Sequence, residues 1–167
     1  MTTLTRVSNL IGMAPETLLP SSPFADVKAR LSEVMNDVVH HHHPHLVGRH
    51  GGREQMLLLG LPEIDAVLEP FCLAPQVSVS DGEFVIRLGE LNLIAGGATY
   101  DEALEELIEL VGEYSEDFFE RLGFYMQTDR RQHLPYLLRF ALTPPERRTD
   151  LLCAAPRGSE DRAPAAT

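Results

Sequence analysis

The chain has 167 residues and 44% of them are hydrophobic, which is enough to bury a core as one large domain or two small ones. Its net charge of −11 lies almost entirely in residues 71–126, where twelve acidic residues stand against two basic ones. No apolar run reaches the roughly 18 residues of a membrane span, no secretory signal opens the chain, and Cys72 and Cys153 fit no metal or redox motif, so we expect a cytoplasmic protein.

The acidic block indicates what the chain can bind. A dense negative charge suits a basic partner and repels nucleic acid. A solvated helix face that only keeps the protein soluble explains the block about equally well.

The first predicted unit spans residues 15–70. Before it, a loose apolar period within residues 1–13 allows a short helix. Residues 16–21 predict an edge strand, because Pro20 is tolerated at a strand end. Helical apolar spacing then predicts one helix over residues 24–39. Its apolar positions are Phe24, Val27, Leu31, Val34, Met35 and Val38.

A strand pair over residues 45–59, turning at Gly51 and Gly52, follows that helix. A short helix over residues 62–68 begins at a proline and carries acids in its first turn. The predicted order is therefore strand, helix, strand, strand, helix. About fifty residues bury little surface, so we expect this unit to dimerise.

The stretches 31–38 (LSEVMNDV) and 46–53 (LVGRHGGR), with the apolar strand at 56–59, resemble the N-terminal domain of Phd/YefM antitoxins. Four histidines stand where that family has an acidic linker with glycine. After the glycine, where the family usually has a proline or a nearby hydrophobic residue, this chain has residues 52–55 (GREQ). The resemblance implies a homodimer that binds operator DNA. The basic residues that could contact phosphate are Lys28, Arg30, Arg49, His50 and Arg53.

The second predicted unit spans residues 74–152. Alternation around Val77 and Val79, an Asp-Gly turn at residues 81–82, a strand over residues 83–88 and a third over 91–95 predict an antiparallel sheet. Gly96 and Gly97 are expected to turn the chain. Thr99 and Glu102 form a capping box, after which an amphipathic acidic helix runs to about residue 125. Helices over residues 134–142 and 143–152 follow, and 153–167 predict a disordered tail.

This second block resembles the HicB-like antitoxin fold through residues 82–88, Leu91, Gly96–Gly97, Thr99 and residues 102–104. Together the two halves, over residues 15–142, resemble PHD-like antitoxins that pair with RelE-type toxins. The resemblance implies an α+β fold: a Phd/YefM-like βαββα dimerisation unit, then a small antiparallel sheet with a long helix and a helical C-terminus. It also implies that the acidic half grips a basic ribonuclease toxin. The candidate toxin-binding residues are Glu102, Glu105, Glu106, Glu109, Glu113, Tyr114 and Phe118.

No catalytic constellation stands out, and we expect neither enzymatic activity nor a cofactor or metal. The glycines before Thr99 lack the Lys-Ser/Thr of a P-loop. The histidine run, His40–His43 with His45, could bind a metal, but adjacent side chains diverge rather than converge. Three functions stay open: an autoregulating antitoxin, a stand-alone protein-interaction module without a DNA role, and a His-rich metal-binding accessory protein.

Overall fold

Residues 18–153 are described by the structure, a computed structural model. The mixed α+β fold is confirmed, and the chain divides after Val67 into two units. The predicted helix within residues 1–13, and the predicted tail after Cys153, lie outside the described residues. No helix in the described part of the chain is long and apolar enough to cross a membrane.

The first unit contains a three-stranded sheet in the order β1-β2-β3. β1 (Ser21–Pro23) is an edge strand parallel to β2 (His45–Arg49), and β3 (Glu54–Leu58) is antiparallel to β2. The predicted strand pair is confirmed, whereas the edge strand begins at Ser21 instead of ending there. The connection between β2 and β3 is a tight left-handed turn in which His50, Gly51 and Gly52 all have positive φ angles.

One predicted helix in the first unit proves to be two. α1 (Phe24–Ala29) and α2 (Leu31–His40) are separated at Arg30, whose φ of −123° and ψ of 31° leave the helical region. The hydrophobic period continues through this break, so the spacing alone conceals it. Among residues 18–67, the buried core of this unit is formed by four valines, Val27, Val34 and Val38 from the helices and Val47 from β2, with the partly buried Leu58 packed against them. α3 (Leu61–Leu68) follows β3, close to its predicted bounds.

The second unit contains an antiparallel sheet in the order β4-β5-β6. β4 (Gln76–Ser80) and β5 (Glu83–Leu88) flank a two-residue turn in which Asp81 and Gly82 have φ angles of 54° and 85°, as a tight hairpin turn requires. β6 is Leu93–Gly97, two residues later than predicted.

Gly96 and Gly97 therefore pair within β6 and do not turn the chain. A Cβ atom at Gly97 would lie 2.6 Å from the backbone nitrogen of Ala103, so only glycine lets the following helix approach the strand this closely. The turn prediction was wrong because a glycine pair signals close backbone approach as readily as a turn.

That helix, α4 (Tyr100–Glu120), starts with the predicted capping box. The Glu102 amide donates to the Thr99 hydroxyl and the Thr99 amide donates to the Glu102 carboxylate, both at 3.2 Å. The predicted single helix to residue 125 breaks at Arg121, where φ is −112° and ψ is 28°, and continues as α5 (Leu122–Tyr125).

The C-terminal part of the second unit is helical, as predicted. Thr128 caps a 3₁₀ turn over Asp129–His133, followed by α6 (Leu134–Leu142) and, after a 3₁₀ turn at Pro145–Arg147, by α7 (Arg148–Cys153). α4 packs on β5, β6, α6 and α7 around one hydrophobic core. The largest fully buried side chains of this core are Leu73, Ile86, Leu88, Leu107, Val111, Phe118, Leu137, Phe140 and Leu152.

Two isoleucines of the second sheet provide a matched test of this packing. Ile86 is fully buried, whereas Ile94 is 49% exposed. Because removing a buried aliphatic side chain leaves a cavity, we expect Ile86→Ala to lower the free energy of unfolding by about 2–5 kcal/mol, and Ile94→Ala by less than about 1 kcal/mol. All four tyrosines of the chain lie after residue 98 and there is no tryptophan. Tyrosine fluorescence in a urea titration therefore follows the unfolding of the second unit. Equal losses in the two variants would contradict the assigned core.

Candidate functional site

α4 has an apolar side and an acidic side. Its buried residues, among them Leu104, Leu107 and Val111, face the sheet. Seven glutamates on the helix are exposed. Since each residue advances about 100° around a helix, all seven fall within a stripe about 100° wide and about 27 Å long. We call this the acidic stripe; its members are Glu102, Glu105, Glu106, Glu109, Glu113, Glu116 and Glu120.

The acidic stripe is largely uncompensated. Within residues 18–153, no lysine, arginine or histidine forms an ion pair with any of its carboxylates. In the described part of the chain two of them accept backbone hydrogen bonds: Glu102 in the capping box, and Glu106, which accepts from the Gly96 amide of β6 at 3.1 Å. Like charges spaced along one helix face destabilise it slightly. A surface of this kind is complementary to a basic partner.

Five of the predicted toxin-binding residues lie together in the acidic stripe, alongside two further glutamates. Glu102, Glu105, Glu106, Glu109 and Glu113 all belong to the acidic stripe. Glu116 and Glu120 complete it. The same helical period could have found both from the sequence, because they continue it toward the end of the helix.

Phe118 requires a correction, because its side chain has no exposed surface. It stacks on Tyr125 with ring centroids 4.8 Å apart and lies in the core of the second unit. Its spacing placed it on the apolar side of α4, so the residue supports the helix and cannot touch a partner while the unit is folded.

Tyr114 is half-buried and tied to its own unit. Its hydroxyl oxygen lies 2.7 Å from Nδ1 of His133, and its ring meets those of Phe118 and Tyr125 edge-on. The Arg130 guanidinium sits 5.9 Å from the Tyr114 ring centroid, within cation–π range. Tyr114 therefore borders the acidic stripe and is held in one orientation.

His133 is 7% exposed, and burial together with Arg130 lowers its pKa. A neutral imidazole accepts a hydrogen bond from the Tyr114 hydroxyl at Nδ1, whereas a protonated one could not. Nearby, hydrogen bonds from Tyr125 and Arg121 lower the pKa of Asp117. A surface cavity of about 600 Å³ lies beside these groups, with Tyr114, Asp117 and His133 in its wall.

The predicted DNA-binding residues lie in the first unit, and all are exposed. Arg49 ends β2 and His50 is the first residue of the turn that follows, and both lie near one carboxylate, with Glu54 at 4.0 Å and 3.7 Å. Arg49 also stacks over the Phe24 ring at 5.0 Å, which draws it toward α1. The remaining members are Lys28, Arg30 and Arg53.

The same unit exposes large apolar side chains beside its helices. Leu31, Met35 and Val39 follow one another at every fourth position of α2 and are 49%, 54% and 52% exposed. Phe24 on α1 is 42% exposed. Exposed apolar side chains that recur along one helix face mark a contact surface.

The histidine run ends α2 and lies among carboxylates. Nδ1 of His41 is 2.9 Å from Asp37 and Nδ1 of His42 is 2.6 Å from Glu63. Among residues 18–153, no group of three or more His, Cys, Asp or Glu side chains is placed to hold a metal ion.

Comparison with known proteins gives two findings. Residues 18–150 match the family PHD_like, described as "Antitoxin of toxin-antitoxin, RelE / RelB, TA system". A crystal structure of an antitoxin part of a putative toxin/antitoxin system from Syntrophomonas wolfei subsp. wolfei is similar in fold, with a TM-score of 0.70 and 20% identity, over 80% of this chain and 96% of that one. No curated protein matches the chain.

The buried histidine predicts a pH dependence. Because the pKa of His133 is lower in the folded state, the unfolded chain binds its proton more readily, and stability falls as pH drops below about 6.5. We expect His133→Gln, which can still accept from Tyr114, to flatten this fall between pH 7.5 and 5.5. Tyrosine fluorescence during urea unfolding, repeated across this pH range, measures the free energy of unfolding. The exposed His43→Gln serves as control, and an unchanged slope in His133→Gln would contradict the prediction.

Proposed function

Since the chain belongs to the PHD-like family of antitoxins of RelE/RelB-type toxin–antitoxin systems, we propose that it neutralises a RelE-type ribonuclease toxin by binding it with the acidic stripe. An antitoxin of this class acts as a regulator and not as a catalyst. The acidic stripe is the observation that supports this assignment most directly, since it is exposed and lacks ion-pair partners within residues 18–153.

The proposed mechanism is charge complementarity on a rigid helix. A ribonuclease toxin must carry a basic surface to hold the RNA phosphates. A row of carboxylates competes for that surface, steers the encounter and raises the association rate. The capping box and the buried side of α4 fix the helix before binding, so little backbone entropy is lost on association.

The proposed dimer uses the first unit. Its core of four valines is small, and α2 exposes Leu31, Met35 and Val39 in a row. Burying these side chains against a second copy would remove apolar surface from water. Dimerisation would also bring two sets of basic residues together.

We further propose that the dimer binds its own operator and represses its promoter. The five basic candidates per subunit are exposed, and a dimer doubles them. Phosphate contacts by so few cations give modest affinity with a strong dependence on salt. Because binding of the toxin uses the other unit, one chain could occupy DNA and toxin at once.

A protein-interaction module without a DNA role is the second candidate. One observation favours it: Glu54 lies close to both Arg49 and His50 and offsets part of the positive charge at the turn. A mobility-shift assay on the DNA upstream of the gene separates the two. The His-rich metal-binding function has weaker support, given the absence of a ligand group among residues 18–153.

Charge reversal tests the toxin surface. Glu109→Lys with Glu113→Lys places two cations in the acidic stripe, and we expect at least about tenfold weaker binding to a RelE-type toxin, with a slower association rate. Surface plasmon resonance at two salt concentrations measures both. The control, Glu146→Lys with Asp150→Lys, makes the same change in net charge at exposed residues outside the stripe. Equal effects of the two pairs would point to net charge and against the stripe.

The DNA role has its own test. Arg49→Ala with Arg53→Ala should weaken operator binding and reduce the dependence of log K on log salt by about 0.9 for each phosphate that the variant no longer neutralises. Fluorescence anisotropy over a salt series gives the slope. Arg131→Ala with Arg147→Ala removes the same charge from exposed sites in the second unit. Unchanged binding by the Arg49/Arg53 variant would contradict the assignment, while toxin binding stays intact in either case.

A further inference from the structure

β4 is an end strand of the second sheet and is exposed along its whole length. Val77 and Val79 pair with Ile86 and Phe84 of β5, which places them on the same face of the sheet as the core. On that face α4 packs chiefly on β6 and β5. As a result Val77 is 49% and Val79 is 63% exposed.

Nothing in the sequence of β4 protects this edge. Natural end strands usually carry lysine, proline or an inward charge that blocks pairing with another chain. β4 reads Gln-Val-Ser-Val-Ser and has none of these. Its outer side presents backbone groups that no strand among residues 18–153 pairs with.

The strand is also complementary to itself. In an antiparallel pair of two copies centred on Ser78, Val77 of one copy lies opposite Val79 of the other, and Gln76 lies opposite Ser80. At the next position on either side, Pro75 of one copy lies opposite Asp81 of the other, so the pairing ends after five residues. Every apolar residue meets an apolar one and every polar residue a polar one.

This register continues across the neighbouring strands. On the core face, the side chains that neighbour one another across the four strands are Ile86 and Val77 of one copy, followed by Val79 and Phe84 of the second copy. On the opposite face, Gln76 neighbours Arg87 and Ser80 neighbours Glu83. The two outer rows on that face therefore each have an arginine at one end and a glutamate at the other, about 14 Å apart, while the central row runs through the two Ser78 residues and ends in Val85 on both sides, so no like charges meet.

We propose that β4 is a self-association edge, at which two copies of this chain pair antiparallel about Ser78 and form one continuous six-stranded sheet. The pairing gives the exposed valines apolar neighbours and satisfies the outer backbone groups of both strands. It depends only on the second unit, so it is independent of the proposed dimer of the first unit and of the proposed toxin and DNA binding.

Disulfide trapping tests the register in the full chain. In a Cys72→Ser, Cys153→Ser background, Ser78→Cys places two thiols opposite each other at the two-fold axis, where the Cα separation of about 4.5–5.5 Å permits a disulfide. We expect most of this variant to run as a covalent dimer on a non-reducing gel after mild oxidation with diamide. Ser80→Cys should stay monomeric, because its two copies are four residues apart along the strands, about 13 Å, beyond disulfide reach.

A mixture provides the positive control for that register. Gln76→Cys and Ser80→Cys, combined in equal amounts, should form a covalent dimer that neither forms alone. Failure of Ser78→Cys to cross-link, or equal cross-linking at residues 76, 78 and 80, overturns the proposal.

Sedimentation velocity tests the same edge without cysteines. Val77→Lys and Val79→Lys place a charge at the edge and should weaken self-association at least tenfold, whereas Ile94→Lys, at a similarly exposed isoleucine on the other face of β6, should not. Association unchanged by both valine variants overturns the proposal. So does a loss of toxin binding in these variants with self-association intact, which would assign the edge to the toxin.

Discussion

The packing of α4 against β5 and β6 is the contact on which the second unit depends. Leu107 and Val111 of the helix are fully buried, as is Ile86 of the sheet. The helix approaches closely because Gly97 has no side chain to hold it off, and the capping box sets where the helix begins. Since one side of α4 is fixed in the core, the opposite side must face solvent. The display of the acidic stripe is therefore a consequence of how the core is packed.

The first unit differs from the second in having a small buried core and large apolar side chains on its surface. In its described part the core holds four valines, while larger apolar side chains such as Leu31 and Met35 remain half exposed. A small unit buries a small fraction of its surface, so its own contacts offset less of the conformational entropy that folding removes. An apolar face left open on such a unit is consistent with association being part of its stability, as we propose for the dimer.

The described surface thus separates three kinds of contact by chemistry. The acidic stripe offers charge and is suited to a basic protein, the exposed face of α2 offers apolar area, and β4 offers backbone hydrogen bonds. Charged partners are attracted over a distance of about a Debye length, whereas apolar and strand contacts act only at close range. Salt therefore distinguishes the first contact from the other two, and this gives each proposed interaction its own signature.

Local signals in the sequence determined most of the elements. The Asp-Gly turn, the capping box at Thr99 and the proline-started helices act within a few residues, so their positions could be predicted closely, and the family resemblance followed from their order. The breaks at Arg30 and Arg121 could not be predicted, because the hydrophobic period runs on unchanged through both of them. The roles of the toxin-binding and DNA-binding residues remain proposals, because a sequence pattern identifies the kind of partner and not the atoms that it touches.

The sequence by itself determined the α+β order of elements, the acidic character of α4 and the family. Only the tertiary structure decided which residues of those elements are available to a partner. It placed Phe118 in the core, set Gly96 and Gly97 inside a strand, and left Val77 and Val79 about half exposed or more. The reason is physical: turns and caps are made by neighbours in the chain, whereas exposure is set by which distant segment covers a side chain.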